Sequence, residues 1–327
     1  MHEVTITRHN IQIDPVMHIW EWQIPVYLFL GGLVAGMMMI GGYFLLSGRH
    51  KTSRSMCYTM PLLGIVFLSL GMFALFLDLE HKLYVWRLYT TFQPTSPMSW
   101  GSWILLLVYP ALLATILLKI HEHIPFFLKS RLSFLMKLSS RISDLPNSYR
   151  IIGIVNMALG AVLGMYTGIL LSALGARPLW NSSILWFLFV ISGLSAAAAF
   201  VHLIAQEKFE RELLAKADNG FLIIELFVIV LFLVGLLSST AAHQNAAKLL
   251  LIGEYAAPFW VFVVGIGIVI PLVVQSLAVT HKVKHTPIAP LLVIGGGIVL
   301  RFIIVAAGQQ SSWLLTPQNN PVITVLH

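Results

Sequence analysis

The sequence predicts an all-α integral membrane protein, with residues 1–327 forming a single polytopic domain of eight transmembrane helices. Hydrophobic residues make up 58% of the chain and charged residues only 10%, whereas charged residues are about a quarter of an average globular protein. The apolar residues form long runs, each with roughly the 20 residues that cross a hydrocarbon core of about 30 Å. Within lipid such runs must be helical, because every backbone group has to be hydrogen-bonded inside its own segment.

The eight predicted spans are separated mainly by short loops, which leaves almost no room for a soluble catalytic domain. They cover about residues 22–46, 59–79, 102–120, 151–172, 184–204, 221–239, 258–280 and 288–307. The longest loop, residues 121–150, mixes lysine and arginine with leucine and phenylalanine. This composition predicts a basic amphipathic segment on the cytoplasmic surface of the membrane.

The distribution of basic residues predicts the orientation of the spans. Fourteen of the 20 Lys and Arg residues lie in or beside the loops that follow the first, third, fifth and seventh spans, and five lie on the opposite side. The positive-inside rule places the first group in the cytoplasm. Both termini and the loop that carries Arg177 are therefore expected on the outer side, and the net charge of +7 is not a sign of nucleic-acid binding.

Helix direction and depth bring several polar side chains toward the outer face. Tyr166 lies about 15 residues into the fourth span, roughly 22 Å from its inner end at 1.5 Å per residue. Glu21 opens the first span, whereas Asp78 and Glu80 end the second. Arg177 follows in the loop after the fourth span. The sequence therefore predicts a polar cluster in the outer third of the membrane.

This cluster has the groups that a quinol site needs, namely aromatic walls, a hydrogen-bond donor to the ring oxygens and a proton acceptor. Tyr166 can donate to a ring oxygen and Glu21 can accept a proton, while Trp20 and Trp22 can form the walls. A simpler interpretation stays open, because tyrosine, tryptophan and arginine also anchor helices at the headgroups and an acid suits a first helical turn.

Three further ionisable residues lie within or at the ends of predicted spans. His202 closes the fifth span and Glu225 opens the sixth, both toward the inner side. Arg301 lies about 13 residues into the eighth span, roughly 20 Å from its inner end. Charges at membrane depth are costly, so we expect a buried partner or a water-filled cavity around Arg301, with Asp78 and Glu225 as candidate partners.

The sequence argues against metal centres in this protein. Of the 12 histidines only His202 falls plausibly within a span, so a haem held by two histidines is not expected. Cys57 is the only cysteine, and an iron–sulfur cluster needs about four thiolates. No metal-ligand spacing is evident. A secondary transporter, which often has broken helices and inverted repeats, and a purely structural anchor are the alternatives to a redox role.

Several segments match a known family in order along the sequence. They are WEWQIPVYLFLGG at 20–32 with Ala35 and Gly36, PTSPMSWG at 94–101, YTGILLSAL at 166–174 with PLWN at 178–181, and LRF at 300–302 with AGQ at 307–309. Together these segments resemble the NrfD/PsrC family, the membrane subunits of polysulfide reductase and related respiratory complexes. The resemblance covers nearly the whole sequence.

The resemblance implies two four-helix bundles in the bacterial inner membrane and a menaquinol site near the periplasmic face. It also implies a periplasmic ferredoxin-like iron–sulfur subunit that relays electrons to a catalytic subunit, often a molybdopterin enzyme. By position, Tyr166 would be the ring-oxygen donor and the start of the first helix would line the site. Some relatives have histidine in place of Glu21, and the carboxylates that end the second span vary in position among relatives. The proton acceptor therefore stays open between Glu21 and the carboxylates Asp78 and Glu80.

The family pattern extends to a possible proton route. Its candidate members in this sequence are Asp78, Glu80, His202, Glu225 and Arg301. Arg177 would either contact the quinone or shape the loop that meets the partner subunit. The terminal substrate stays open, because that chemistry would belong to other subunits.

Overall fold

The computed structural model describes residues 19–49, 58–123, 133–173, 175, 177–205, 207–279 and 286–313. These parts of the protein contain helices and no strand. The longer helices are α1 Gln23–Leu46, α2 Met60–Asp78, α3 Pro97–His123, α4 Ser133–Asp144, α5 Ser148–Ser172, α6 Leu185–Ile204, α7 Lys208–Leu237, α8 Ala241–Leu251, α9 Ala256–Val279 and α10 Ile288–Gln310. Short helical turns at Lys82–Tyr84 and Arg87–Thr90 lie between α2 and α3.

Eight of the described helices are long and apolar enough to cross a membrane, namely α1, α2, α3, α5, α6, α7, α9 and α10. This confirms the predicted all-α membrane fold. The largest difference in bounds is at α7, which begins at Lys208 rather than near 221. The apolar run alone begins near 221, whereas the Lys, Glu, Leu and Ala residues before it favour a helix and extend α7 toward its N-terminus.

The helices pack as two groups of four. The first bundle consists of α1, α2, α3 and α5, and the second of α6, α7, α9 and α10. Helix α1 packs on both α5 and α6, so it lies at the seam between the bundles. Helix α4 lies within the 121–150 loop and carries Arg141 in its last turn, whereas residues 124–132 of that loop lie outside the described residues.

Small residues allow the two bundles to touch through their backbones. A Cβ atom on Gly36 of α1 would lie 2.5 Å from the carbonyl oxygen of Gly193 on α6. A Cβ atom on Gly193 would lie 2.6 Å from the carbonyl oxygen of Gly32. Such close approach is typical of membrane helix pairs, whose association depends on van der Waals packing. The same contact brings Arg301 of α10 next to Gly32, because a Cβ there would lie 3.3 Å from Nη2.

Candidate functional site

The Tyr166 side chain is held by three helices of the first bundle. It is only 5% exposed, and its phenol end rests on the backbone of Gly101 in α3. A Cβ atom on Gly101 would lie 1.9 Å from Cζ and 2.1 Å from the hydroxyl oxygen of Tyr166. From α1, the Tyr27 hydroxyl lies beside the Tyr166 hydroxyl, near enough for the two phenols to interact. The phenol therefore has a defined position at the end of the bundle where α1 and α3 begin.

More phenols surround this position. Tyr89, in the loop between α2 and α3, lies within electrostatic reach of Tyr27 and Tyr166. Burial, with a smaller contribution from Tyr109, raises the pKa of Tyr89. Its hydroxyl therefore keeps its proton at neutral pH and can act as a hydrogen-bond donor. None of these phenols except Tyr166 stood out in the sequence, because tyrosines near membrane surfaces are common anchors.

Two predicted carboxylates meet at the same end of the bundle. Glu21 is exposed just before α1, and Asp78 is half-buried as the last residue of α2. The two carboxylates lie within electrostatic reach of each other. Glu80 is exposed and lies two residues beyond Asp78. Carboxylates and phenols are thus collected at the ends of α1, α2, α3 and α5.

A cavity of about 480 Å³ opens between the end of α2 and the start of α3. This volume falls within the range of ligand pockets, roughly 300 to 1,000 Å³. Its polar lining includes Glu80, His81, Arg87 and Gln93. Tyr166 does not line the cavity. Leu88, which does line it, accepts a hydrogen bond at its carbonyl from the Ser102 hydroxyl at 2.6 Å. Ser102 follows Gly101, so this bond connects the cavity wall to the helical turn that contacts Tyr166.

The Trp20–Trp22 segment is held by the end of α10. The side chain of Gln309 accepts a hydrogen bond from the Trp20 amide at 2.9 Å and donates to the Trp20 carbonyl at 2.8 Å. The Trp20 ring packs against that of Trp180, with centroids 5.0 Å apart. Trp22 is 51% exposed. Trp20 is therefore a packing residue at this junction, whereas Trp22 is free to face lipid or a ligand.

Arg177 is buried in the loop after α5 and is anchored to the end of α10. Its Nη1 donates to the Ser311 carbonyl at 2.9 Å. Two residues further on, the Leu179 amide donates to the Ser311 hydroxyl at 3.3 Å. Trp180 donates from Nε1 to the Ile304 carbonyl at 2.9 Å. Arg177 thus fixes the course of this loop, and the described contacts do not bring it to Tyr166.

A second polar group lies inside the second bundle, around Arg301. Its guanidinium donates to the hydroxyl of Ser192 and, at 3.0 Å, to the carbonyl of Phe189, and it lies 4.7 Å from the centroid of the Phe189 ring. Glu225 of α7 is buried, lies beside Ser192 and is within electrostatic reach of Arg301. Of the two candidate partners, Glu225 rather than Asp78 is the one beside Arg301.

Asp218 extends this polar group and was not predicted from the sequence. It is fully buried on α7, accepts hydrogen bonds from Ser195 and Gln275 at 2.8 Å each, and lies within electrostatic reach of Glu225. The predicted span began at 221, so Asp218 was assigned to a loop. Asp218 lies seven residues, or two helical turns, before Glu225, which puts both carboxylates on one face of the helix. This spacing could have indicated Asp218 from the sequence. His202, also buried, lies in the last turn of α6.

Within the described residues, no group of three or more His, Cys, Asp or Glu side chains could hold a metal ion. The side chains of the two polar groups are phenols and carboxylates at one end of the first bundle, and an arginine with two carboxylates inside the second.

Comparison with known proteins shows which family combines these features. The family described as polysulphide reductase, NrfD, matches residues 9–312. The protein belongs to the NrfD family. This confirms the resemblance seen in the sequence, and with eight apolar helices it makes the protein a multi-pass protein of the bacterial inner membrane. NrfD-family proteins are membrane subunits of respiratory reductase complexes.

Individual relatives align with this NrfD-family protein along most of their length. It is 30% identical to the C chain of polysulfide reductase from Wolinella succinogenes over 311 residues, which are 89% of this protein and 94% of the relative. It is also 30% identical to protein NrfD of Escherichia coli over 309 residues, 89% and 95% of the two sequences. A protein NrfD homolog of Haemophilus influenzae is 30% identical over 312 residues, 89% of this protein and 94% of the homolog.

Proposed function

We propose that this NrfD-family protein is the quinone-interacting subunit of a respiratory oxidoreductase complex and oxidises menaquinol, or reduces the quinone, near the periplasmic face. The observation that carries the proposal is the buried phenol of Tyr166, which lies beside Tyr27 and at the same end of the bundle as Glu21 and Asp78. A quinol site needs this combination of a hydrogen-bond donor and nearby proton acceptors.

The proposed roles follow from the chemistry of the substrate. Oxidation of one menaquinol releases two electrons and two protons. The Tyr166 hydroxyl holds a ring oxygen, and Glu21 or Asp78 accepts a proton. Glu80 lines the cavity beside the site and can pass protons to water. Trp22, exposed beside Glu21, can cover the apolar part of the ring. Arg177 shapes the loop toward a partner rather than touching the quinone.

The electrons leave the protein through a partner subunit. Cys57, the only cysteine, cannot hold an iron–sulfur cluster by itself. One relative is named as the C chain of a polysulfide reductase, a name that places it in a reductase of several subunits. We infer that a periplasmic ferredoxin-like iron–sulfur subunit receives the electrons here and relays them to a catalytic subunit of the molybdopterin class.

We also propose that the polar group of the second bundle moves protons between the cytoplasmic side and the outer site. Arg301, Ser192, Glu225 and Asp218 form a continuous set of interacting side chains at membrane depth. Ionisable groups in such positions are costly and typically serve ion or proton pathways. His202, buried at the inner end of α6, is the candidate for the cytoplasmic entrance.

The test is to purify the complex from its native membrane and measure both its composition and its quinol-dependent electron transfer. We expect co-purifying menaquinone and iron–sulfur subunits. Tyr166→Phe should lower kcat/KM for a naphthoquinol about three- to tenfold, the effect of losing one neutral hydrogen bond. Tyr43→Phe, at an exposed site toward the inner end of α1, is the matched control and should be without effect.

Three outcomes would contradict the proposal or part of it. A protein that purifies alone and moves a solute across liposome membranes would be a transporter. A complex that oxidises quinol equally well with Tyr166→Phe would remove Tyr166 from the site, and a complex without any quinone activity would leave this protein as a structural anchor.

A further inference from the structure

We propose that Gly101 and Tyr27 are positioning residues that set the place and the proton direction of the Tyr166 hydroxyl. The inference rests on the proposed quinol oxidation at Tyr166 and adds two residues to it. Neither residue would touch the substrate. Gly101 acts through the position of the phenol ring, and Tyr27 acts through a hydrogen bond between the two phenols.

Gly101 leaves open the space that the phenol fills. A Cβ atom at this position would lie 1.9 Å from Cζ, 2.1 Å from the hydroxyl oxygen and 2.5 Å from Cε1 of Tyr166. Real Cβ atoms do not approach heavy atoms so closely, so any side chain at 101 would occupy the volume of the phenol. The absence of a side chain at Gly101 therefore determines where the Tyr166 hydroxyl lies.

The helical turn that seats the phenol is itself held in place. Beside Gly101, the Ser102 hydroxyl donates to the carbonyls of Leu88 at 2.6 Å and of Ser99 at 2.8 Å. The Ser99 hydroxyl accepts from the Gln93 amide at 3.0 Å and donates to the Thr91 carbonyl at 3.3 Å. The first turns of α3 are thus bonded to the preceding loop, which also lines the 480 Å³ cavity.

Tyr27 sets the direction of the Tyr166 proton. A phenol has one hydrogen to donate and can also accept a hydrogen bond. If Tyr166 is to donate to a ring oxygen, a hydrogen bond with Tyr27 must be one that it accepts. Tyr27 is 2% exposed and comes from a different helix, so water is largely excluded from directing either hydroxyl. Tyr27 thereby leaves the Tyr166 hydrogen free to point at the substrate.

The experiment uses the purified complex with a reduced naphthoquinone, menadiol, and an artificial electron acceptor. The variants are Gly101→Ala, Tyr27→Phe, Tyr166→Phe and the two double variants that include Tyr166→Phe. We expect Gly101→Ala and Tyr27→Phe each to raise KM about three- to tenfold, the effect of one misplaced hydrogen bond, with kcat changed less. A variant with only a structural defect would contain a smaller fraction of active complex. Its apparent kcat would fall while its KM stayed unchanged.

The double variants supply a second readout. If both residues act only through the Tyr166 hydroxyl, Gly101→Ala and Tyr27→Phe should cause no further rise in KM once Tyr166→Phe is present. Gly295→Ala is the matched control for the glycine, because a Cβ there meets nothing within 4 Å. It should leave KM and kcat unchanged.

Each adverse outcome has a separate meaning. Wild-type KM in Gly101→Ala and Tyr27→Phe, or additive losses in the double variants, would overturn this inference. No effect of Tyr166→Phe itself would instead overturn the proposed role of Tyr166. If Gly101→Ala prevents assembly of the complex, the test depends on Tyr27→Phe, with and without Tyr166→Phe. A wild-type KM in Tyr27→Phe would then overturn the inference.

Discussion

At the scale of single residues, the membrane interior contains charged side chains whose hydrogen bonds are supplied by neighbouring helices. A charge at the centre of a membrane helix costs about 2.5 to 3.5 kcal/mol. Arg301 offsets this cost with the carbonyl of Phe189, the hydroxyl of Ser192 and the nearby carboxylate of Glu225. Asp218 uses one oxygen for Ser195 and the other for Gln275. Each charge thus has partners on at least one other helix.

Substitution of Asp218 tests this network. Asp218→Leu would leave the Ser195 and Gln275 donors without their acceptor. We expect a loss of about 2 to 6 kcal/mol, since each unsatisfied group costs roughly 1 to 3 kcal/mol. Asp218→Asn keeps one acceptor and the same shape, so about 1 kcal/mol should be lost. Thermal unfolding of the solubilised complex measures both, with the exposed Lys216→Gln as control. Equal stability of the Leu variant and the wild type would refute the network.

At the scale of elements, the end of α10 organises the end of the molecule where α1 begins. Gly308 lies against Trp180, since a Cβ atom there would lie 1.8 Å from Nε1 of the indole. Gln309 holds the backbone of Trp20, and Ser311 accepts the hydrogen bond of Arg177. One helix end thus joins the beginning of α1 to the loop after α5. Two of the predicted quinone-binding segments meet here through packing.

Gly308→Ala should therefore disrupt this junction. The added methyl group must displace the Trp180 ring, and overpacking of this kind costs about 1 to 3 kcal/mol. We expect a lower unfolding temperature and a changed tryptophan fluorescence spectrum. Gly295→Ala on the same helix has open space around its Cβ and should be neutral or stabilising by up to about 1 kcal/mol, because alanine favours a helix. Identical behaviour of the two variants would show that the junction tolerates a side chain.

At the scale of the whole molecule, the two bundles have different polar contents. The first collects phenols and carboxylates at the ends of its helices, and the second encloses Arg301, Glu225 and Asp218 within them. The seam at Gly36 and Gly193 brings the backbones of α1 and α6 into contact. Under the proposed function, substrate chemistry belongs to the first bundle and proton movement to the second.

The orientation predicted from charge can be tested with single cysteines in a Cys57→Ser background. Ser140→Cys on α4 and Ser238→Cys after α7 are both at exposed positions. The positive-inside rule places residue 140 in the cytoplasm and residue 238 outside. A membrane-impermeant maleimide added to intact cells should label Ser238→Cys alone, and Ser140→Cys only after permeabilisation. The reverse labelling pattern would invert the topology and move the Tyr166 cluster to the cytoplasmic face.

The sequence by itself determined the eight spans and the family, because each span depends on its own apolar length and the family segments are local and ordered. It also singled out Tyr166 and Arg301 by their chemistry and depth. Only the tertiary structure decided which side chains touch them. Depth alone places many residues at one level, and packing decides which of them meet. It places Tyr166 against Gly101, puts Ser192 and Glu225 beside Arg301, and adds Asp218 to that group. These contacts join residues far apart in the sequence, so no local pattern could specify them.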